Sequence, residues 1–160
     1  MTRHGENPRS PRGEDADLLL LDQQICFSLN AASRAFGGVY RTALKDLGLT
    51  YPQYLVMLVL WEEGALPVKQ LGERLRLDSG TLSPLLKRLE AAGLVVRERS
   101  PEDERSVIVT PTPAGRELRE GALAVPRRIL AAAGLPLDDL RALRELLTRV
   151  TANLDAAAGA

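Results

Sequence analysis

Cys26 is the only cysteine in the 160-residue chain and lies within DQQICFSLNAASRAF, residues 22–36. A lone thiol makes no internal disulfide, which suits a reducing compartment. It leaves two roles open: inert filling of a core, or reversible oxidation of an accessible thiolate. Helical spacing turns Cys26 about 100° away from the apolar stripe that begins at Ile25, on the side that carries Asn30 and Ser33. That small, polar neighbourhood fits an accessible thiol better than it fits filler. The sole histidine, His4, falls in the first sixteen residues, which are rich in Pro, Gly and charge. The rest of the chain therefore carries no Ser-His-Asp or Cys-His pair and no His/Cys metal cluster. No catalytic residue, metal or cofactor is expected, and the chain does not read as an enzyme.

A second group of residues carries different chemistry. In LGERLRLDSGTLSPLLKRLEAAGLV, residues 71–95, Ser79, Thr81 and Ser83 place small hydrogen-bonding side chains at the start of a helix. A helix entering the DNA major groove needs such side chains there, where unpaired backbone N–H groups also face phosphate. Lys87 and Arg88 follow one or two turns later, suited to phosphate or guanine. In SPEDER, residues 100–105, Asp103 and Arg105 stand two apart at a turn and are placed to pair, and an arginine at such a tip can reach a narrow minor groove. Taken singly, these residues are better read as helix caps and a solvated surface. Their order, helix, turn, Ser/Thr-rich helix and hairpin, is what points to DNA. Bulk charge does not: Lys and Arg number 21 against 21 Asp and Glu, and recognition would have to rest on placement.

The elements that position these residues follow from apolar period and punctuation. Ile25, Leu29, Ala32, Phe36 and Tyr40 recur at helical steps, predicting an amphipathic helix from about Asp17 to Leu47, weakened or kinked at Gly37-Gly38. Thr50 and Gln53 have capping-box spacing, Pro52 suits a first turn, and Gly64 ends a second helix. Leu71 and Leu75, then Leu82, Leu85, Leu86 and Leu89, supply the inner faces of two short helices joined near Leu77-Asp78. Asp78 or Ser79 caps the second of these and Gly93 closes it. Two strands are predicted at Leu94 to Arg99 and Ser106 to Thr110. Thr112 caps a further helix, interrupted or bent at Pro126, and Leu140, Leu143, Leu147, Val150 and Leu154 form a coiled-coil seam in the last one.

The expected fold is mainly α with a small β-hairpin wing: a winged helix-turn-helix with N- and C-terminal helices forming a dimerisation region. Residues 1–16 are expected to be a disordered arm and residues 17–160 a single domain, with the winged helix at about 50–111 and dimerisation helices at about 17–47 and 112–157. The run Leu18 to Leu21 is too short for a signal peptide or a membrane span, so a cytoplasmic protein without a membrane partner is expected.

With ICFSLNAASRAF, LGLTYPQYLVMLVLWE, the helix-turn-helix stretch above and RSPEDERSV on the page, the chain resembles the MarR family of winged-helix regulators, and within it the organic hydroperoxide resistance regulators (OhrR). The resemblance runs from about Leu18 to Leu154. It implies a homodimeric repressor that binds a pseudo-palindromic double-stranded operator and senses organic hydroperoxides through the thiol of Cys26. It also implies that Tyr40 and Tyr51 of the partner subunit hold the thiolate by their hydroxyls. Tyr40 is fourteen residues beyond Cys26, roughly 21 Å along a continuous helix, so contact requires an antiparallel partner. With no second cysteine the chain resembles the one-cysteine sensors, and an oxidised Cys26 would next form a mixed disulfide with a small cellular thiol or cyclise to a sulfenamide. Asn30 stands where some relatives carry a further tyrosine. Three rival readings remain: a MarR-type repressor released by a noncovalent aromatic ligand; a thiol peroxidase, for which the chain offers neither a second cysteine nor an arginine near Cys26; and a scaffold dimer, which operator binding would exclude.

Overall fold

The computed structural model describes residues 17–159, so the arm expected at residues 1–16 lies outside the described residues. The helices are α1 (Ile25–Ala43), α2 (Tyr51–Glu63), α3 (Val68–Leu75), α4 (Ser79–Ala91), α5 (Pro113–Ala122), α6 (Ala124–Ala133) and α7 (Leu137–Ala158). The strands are β1 (Leu66–Pro67), β2 (Val95–Arg99) and β3 (Val107–Pro111). The fold is mostly helical with one small antiparallel sheet, as the sequence predicts. The chain divides into two compact units, the first ending at Gly38 and the second beginning at Val39.

In the first unit α1 starts later than its apolar period suggests. A 3-10 turn at Leu21–Gln23 precedes it, and Gln24 is extended. The Gln24 side-chain amide donates to the carbonyls of Leu18 and Leu20, at 2.6 and 3.0 Å. The Gln24 side chain thus competes with the backbone for these acceptors, and the Leu20 carbonyl also takes the Gln23 N–H. At the other end α1 stops at Ala43, and Lys45–Leu47 is a separate 3-10 turn closed by Gly48 in the left-handed region. Gly37 and Gly38 lie inside α1, which runs through them without interruption.

The second unit holds the core. Leu44, Val56, Met57, Leu71, Leu86, Leu89, Val95 and Val109 are almost wholly removed from solvent. At about 2 kcal/mol for each large aliphatic side chain, this cluster is the main support of the unit. Helix α2 begins at the capping box expected of Thr50 and Gln53: the Gln53 N–H donates to Thr50 Oγ1, and the Thr50 N–H donates to Gln53 Oε1. Helices α3 and α4 are joined by a turn at Arg76, the one described non-glycine residue with positive φ, 56°. The turn passes so close to α3 that a Cβ on Gly72 would stand 2.8 Å from the Leu77 carbonyl oxygen.

The sheet has the order β1-β3-β2. The hairpin pairs Val95 with Pro111, Arg97 with Val109 and Arg99 with Val107. The extra strand β1 pairs Leu66 with Val109 and is too short to show a period in the sequence. After β3, Thr112 caps α5 by accepting the Gly115 N–H, as expected, and its hydroxyl donates to the Gly93 carbonyl at 2.6 Å. The expected break near Pro126 falls instead at Leu123, between α5 and α6. Pro126 sits in the first turn of α6, where no backbone N–H is needed.

Candidate nucleic-acid interface and thiol site

Helix α4 presents two faces. Leu82, Leu85, Leu86 and Leu89 are buried, whereas Ser79, Thr81, Ser83, Lys87 and Arg88 are exposed. Asp78 is the cap, its Oδ1 accepting the Thr81 N–H at 2.7 Å. Hydrogen bonds from Thr81, with a further one from the Gly80 N–H, hold the Asp78 carboxyl below its usual range. The cap therefore stays ionised at the positive end of the helix dipole. Pro84, inside α4, has no N–H to give to the Gly80 carbonyl one turn earlier.

The wing stands beside this helix. A groove of about 470 Å³ lies between the start of α4 and the hairpin, lined by Lys69, Ser79, Ser83, Arg97, Asp103, Arg105 and Ser106, among others. Four of the residues singled out in the sequence, Ser79, Ser83, Asp103 and Arg105, thus meet in one place. Thr81, Lys87 and Arg88 are exposed but do not line the groove. Asp103 and Arg105 interact otherwise than expected. Asp103 Oδ1 accepts the backbone N–H of Arg105 at 3.0 Å, and the two side chains are not among the ion pairs of the described residues. The carboxylate thus shapes the turn. Ser100 Oγ accepts the N–H groups of Glu102 and Asp103 in the same turn.

Sequence reasoning missed Lys69 and Arg97. Lys69 is a surface position of α3, and only the fold brings it to the wing. Arg97 in β2 is held by Glu90 at the end of α4. The Arg97 backbone N–H donates to Glu90 Oε1 at 3.1 Å, and its guanidinium donates to Oε2 through Nε at 3.3 Å and a terminal nitrogen at 2.9 Å. These bonds from Arg97 keep the Glu90 carboxyl below its usual range.

The tyrosines form a separate feature of the second unit. Tyr40 and Tyr51 have ring centroids 4.6 Å apart, Tyr54 lies 5.9 Å from Tyr40, and Trp61 lies 6.4 Å from Tyr54. All the tyrosines and the single tryptophan of the chain stand in this line. Trp61 anchors it by donating its indole N–H to the Gly115 carbonyl at 2.8 Å. Burial, then the neighbouring Tyr51 and Tyr54 hydroxyls, push the Tyr40 phenol above its usual value. At neutral pH Tyr40 is therefore a protonated O–H donor. Burial and Tyr51 do the same to Tyr54. Cys26 lies in the first unit, on α1, with its side chain exposed like those of Asn30 and Ser33. Among the described residues no group of three His, Cys, Asp or Glu side chains is placed to hold a metal ion. Nor, among the described residues, is any helix long and apolar enough to cross a membrane.

Two helices joined by a tight turn, the second with a polar exposed start, followed by an antiparallel hairpin beside it, define a winged-helix DNA-binding module. The MarR family model matches residues 49–107, which span α2 to the start of β3. The transcriptional regulator TtmR of Methylorubrum extorquens (strain PA1) is 50% identical over 150 residues, covering 94% of this chain and 76% of that protein. The organic hydroperoxide resistance transcriptional regulator of Bacillus subtilis (strain 168) is 47% identical over 131 residues, covering 82% and 89%. The structure of reduced AbfR of Staphylococcus epidermidis bound to DNA matches with a TM-score of 0.73 at 40% identity, covering 88% of this chain and 98% of that one. The chain belongs to the MarR family of winged-helix transcriptional regulators.

Proposed function

We propose that the chain is a homodimeric repressor that binds a pseudo-palindromic operator and leaves it when an organic hydroperoxide oxidises Cys26. The observation that carries the DNA part is the groove in which Ser79 and Ser83 of α4 face Arg105 of the wing. In this reading Ser79, Thr81 and Ser83 meet base edges, Lys87 and Arg88 meet phosphate or guanine, and Arg105, its turn shaped by Asp103, reaches the minor groove. Two such modules enter successive major grooves about 34 Å apart. The DNA-bound AbfR structure, which covers nearly all of its own chain in the match, supports the same use of the module.

The redox part rests on three things together: the exposed Cys26 thiol, the adjacent Tyr40 and Tyr51 rings, and the likeness to the B. subtilis hydroperoxide regulator. The Tyr40 and Tyr51 hydroxyls of the partner subunit donate to the thiolate. The sulfur attacks one peroxide oxygen, the O–O bond breaks, and the other oxygen leaves with a proton as the alcohol, giving the sulfenic acid. A small cellular thiol then condenses with it, forming an S–S bond and releasing water. The added bulk and the lost tyrosine bonds displace the two DNA-binding modules.

A gel-shift titration on upstream DNA tests this, using wild type and Cys26→Ser, each with and without cumene hydroperoxide and a small thiol. Release of wild type but not of Cys26→Ser is the expected result. Equal behaviour of the two proteins overturns the cysteine switch and leaves release by a noncovalent aromatic ligand as the reading to pursue.

A further inference from the structure

The contact between Glu90 and Arg97 joins the two parts of the DNA-binding module. Glu90 is in the last turn of α4, and Arg97 is in the middle of β2, paired with Val109 of the central strand. The chain between them turns at Gly93, which has a positive φ of 74°, and the Leu94 N–H closes the helix onto the Leu89 carbonyl. One carboxylate receives three hydrogen bonds from one residue, one of them from its backbone. Both side chains are partly screened from solvent, 27% exposed for Arg97 and 37% for Glu90. The backbone bond distinguishes this contact from a surface ion pair of two flexible side chains, because it ties the strand itself to the helix.

The guanidinium of Arg97 also lines the groove that holds Ser79, Ser83 and Arg105. Its charge is already matched by Glu90, whereas Lys69 and Arg105 are not among the ion pairs of the described residues. We propose that Glu90 is a positioning residue for DNA recognition: by holding Arg97 through side chain and backbone, it fixes the wing at a set distance from α4, so that wing and helix reach adjacent grooves together. This rests on the DNA-binding reading above. In that role Arg97 acts as the tie and not as a phosphate contact.

Removing a carboxylate from a DNA-facing module makes it more positive, and bulk electrostatics alone then tightens binding. Loss of the tie does the opposite for the operator and leaves random DNA unaffected. The experiment compares wild type, Glu90→Ala, Glu90→Gln and the swap Glu90→Arg/Arg97→Glu. Operator and random-sequence DNA are titrated in parallel, and hydroxyl-radical footprints are taken on the operator. Glu90→Ala is expected to bind the operator about three- to tenfold more weakly, to bind random DNA as well as wild type or better, and to lose protection at the wing-contacted flanks. Glu90→Gln, which keeps an acceptor for the backbone N–H, is expected to fall between. The swap is expected to recover part of the flank protection.

Hydrogen exchange on the DNA-free proteins reports the tie without any DNA. The Arg97 amide and its neighbours in β2 should exchange faster in Glu90→Ala at unchanged α3 and α5 protection. If exchange in β2 does not change, the tie is not structural and the proposal fails. If exchange rises but operator binding and the flank footprint stay at wild-type level, the tie exists without a role in recognition, and the proposal fails there. If wild type shows no preference for the operator over random DNA, it is the DNA-binding reading that falls.

Discussion

Asp78 carries a testable consequence at the scale of one side chain. Its carboxylate accepts backbone N–H groups at the start of α4, and they hold its pKa below the ordinary 3.8. A carboxyl depressed in the folded state stabilises above its unfolded value, and that stabilisation disappears as pH falls through the folded value. Asn caps about as well as Asp but does not titrate. Wild type is therefore expected to melt above Asp78→Asn at neutral pH, with the gap closing as pH drops below about 4. Thermal melts at a series of pH values check this, and a gap independent of pH would show that the charge is irrelevant to the cap. Caps of this kind were readable from the sequence because they are local: Thr50 with Gln53, Asp78, and Thr112 all lie within three residues of the N–H they satisfy. Lys69 and Arg97 were not readable, because their significance comes from a groove formed by segments far apart in the chain. The Asp103–Arg105 relation was half readable. Spacing placed the two residues together, but the choice of a backbone partner over a guanidinium depends on the turn itself.

At the scale of elements, the packing of α5 against the wing depends on one missing side chain. A Cβ on Gly115 would stand 2.1 Å from the Leu94 carbonyl oxygen and 3.3 Å from the Met57 Cε. The neighbour is backbone, so it cannot rotate away. Gly115→Ala is expected to cost about 3 kcal/mol, at the upper end for overpacking a core, and to move α5 off the Leu94 turn. The Trp61 indole bond to the Gly115 carbonyl would weaken with it. Chemical denaturation followed by tryptophan fluorescence measures both effects, and a stability within about 0.5 kcal/mol of wild type would contradict the close approach. The elements themselves were largely legible. Helices α2, α3 and α4 and both long strands follow their apolar periods and punctuation. The departures have local causes: Gln24 competes for carbonyls ahead of α1, Pro126 fits a first turn rather than breaking one, and β1 is two residues long.

At the scale of the whole molecule, apolar side chains are distributed unevenly. The core of the second unit is closed, yet α7 exposes Leu143, Leu147, Val150 and Leu154, and the first unit exposes Leu18 to Leu21, Ile25 and Phe27. Exposed apolar surface in such continuous runs is rare on a monomer, and on α7 it includes the residues of the expected 3-4 seam. In the proposed dimer these faces meet a second copy. Leu147→Glu is expected to shift sedimentation to the monomer and to weaken operator binding about tenfold or more, since two linked half-sites become two independent ones. A variant that stays dimeric would move the interface away from α7. Strand β3 is hydrogen-bonded to β2 on one side and to β1 on the other, and β1 leads directly into α3. The path from β1 through both helices and the wing therefore returns to its own beginning, like a hoop whose ends are clasped. A hoop does not bend at one point without straining the rest, so under the proposed reading oxidation of Cys26 has little freedom to reshape it. In the proposed dimer, what remains adjustable is the gap between two hoops, and regulation becomes a question of gauge: whether the pair is set to the pitch of DNA or off it.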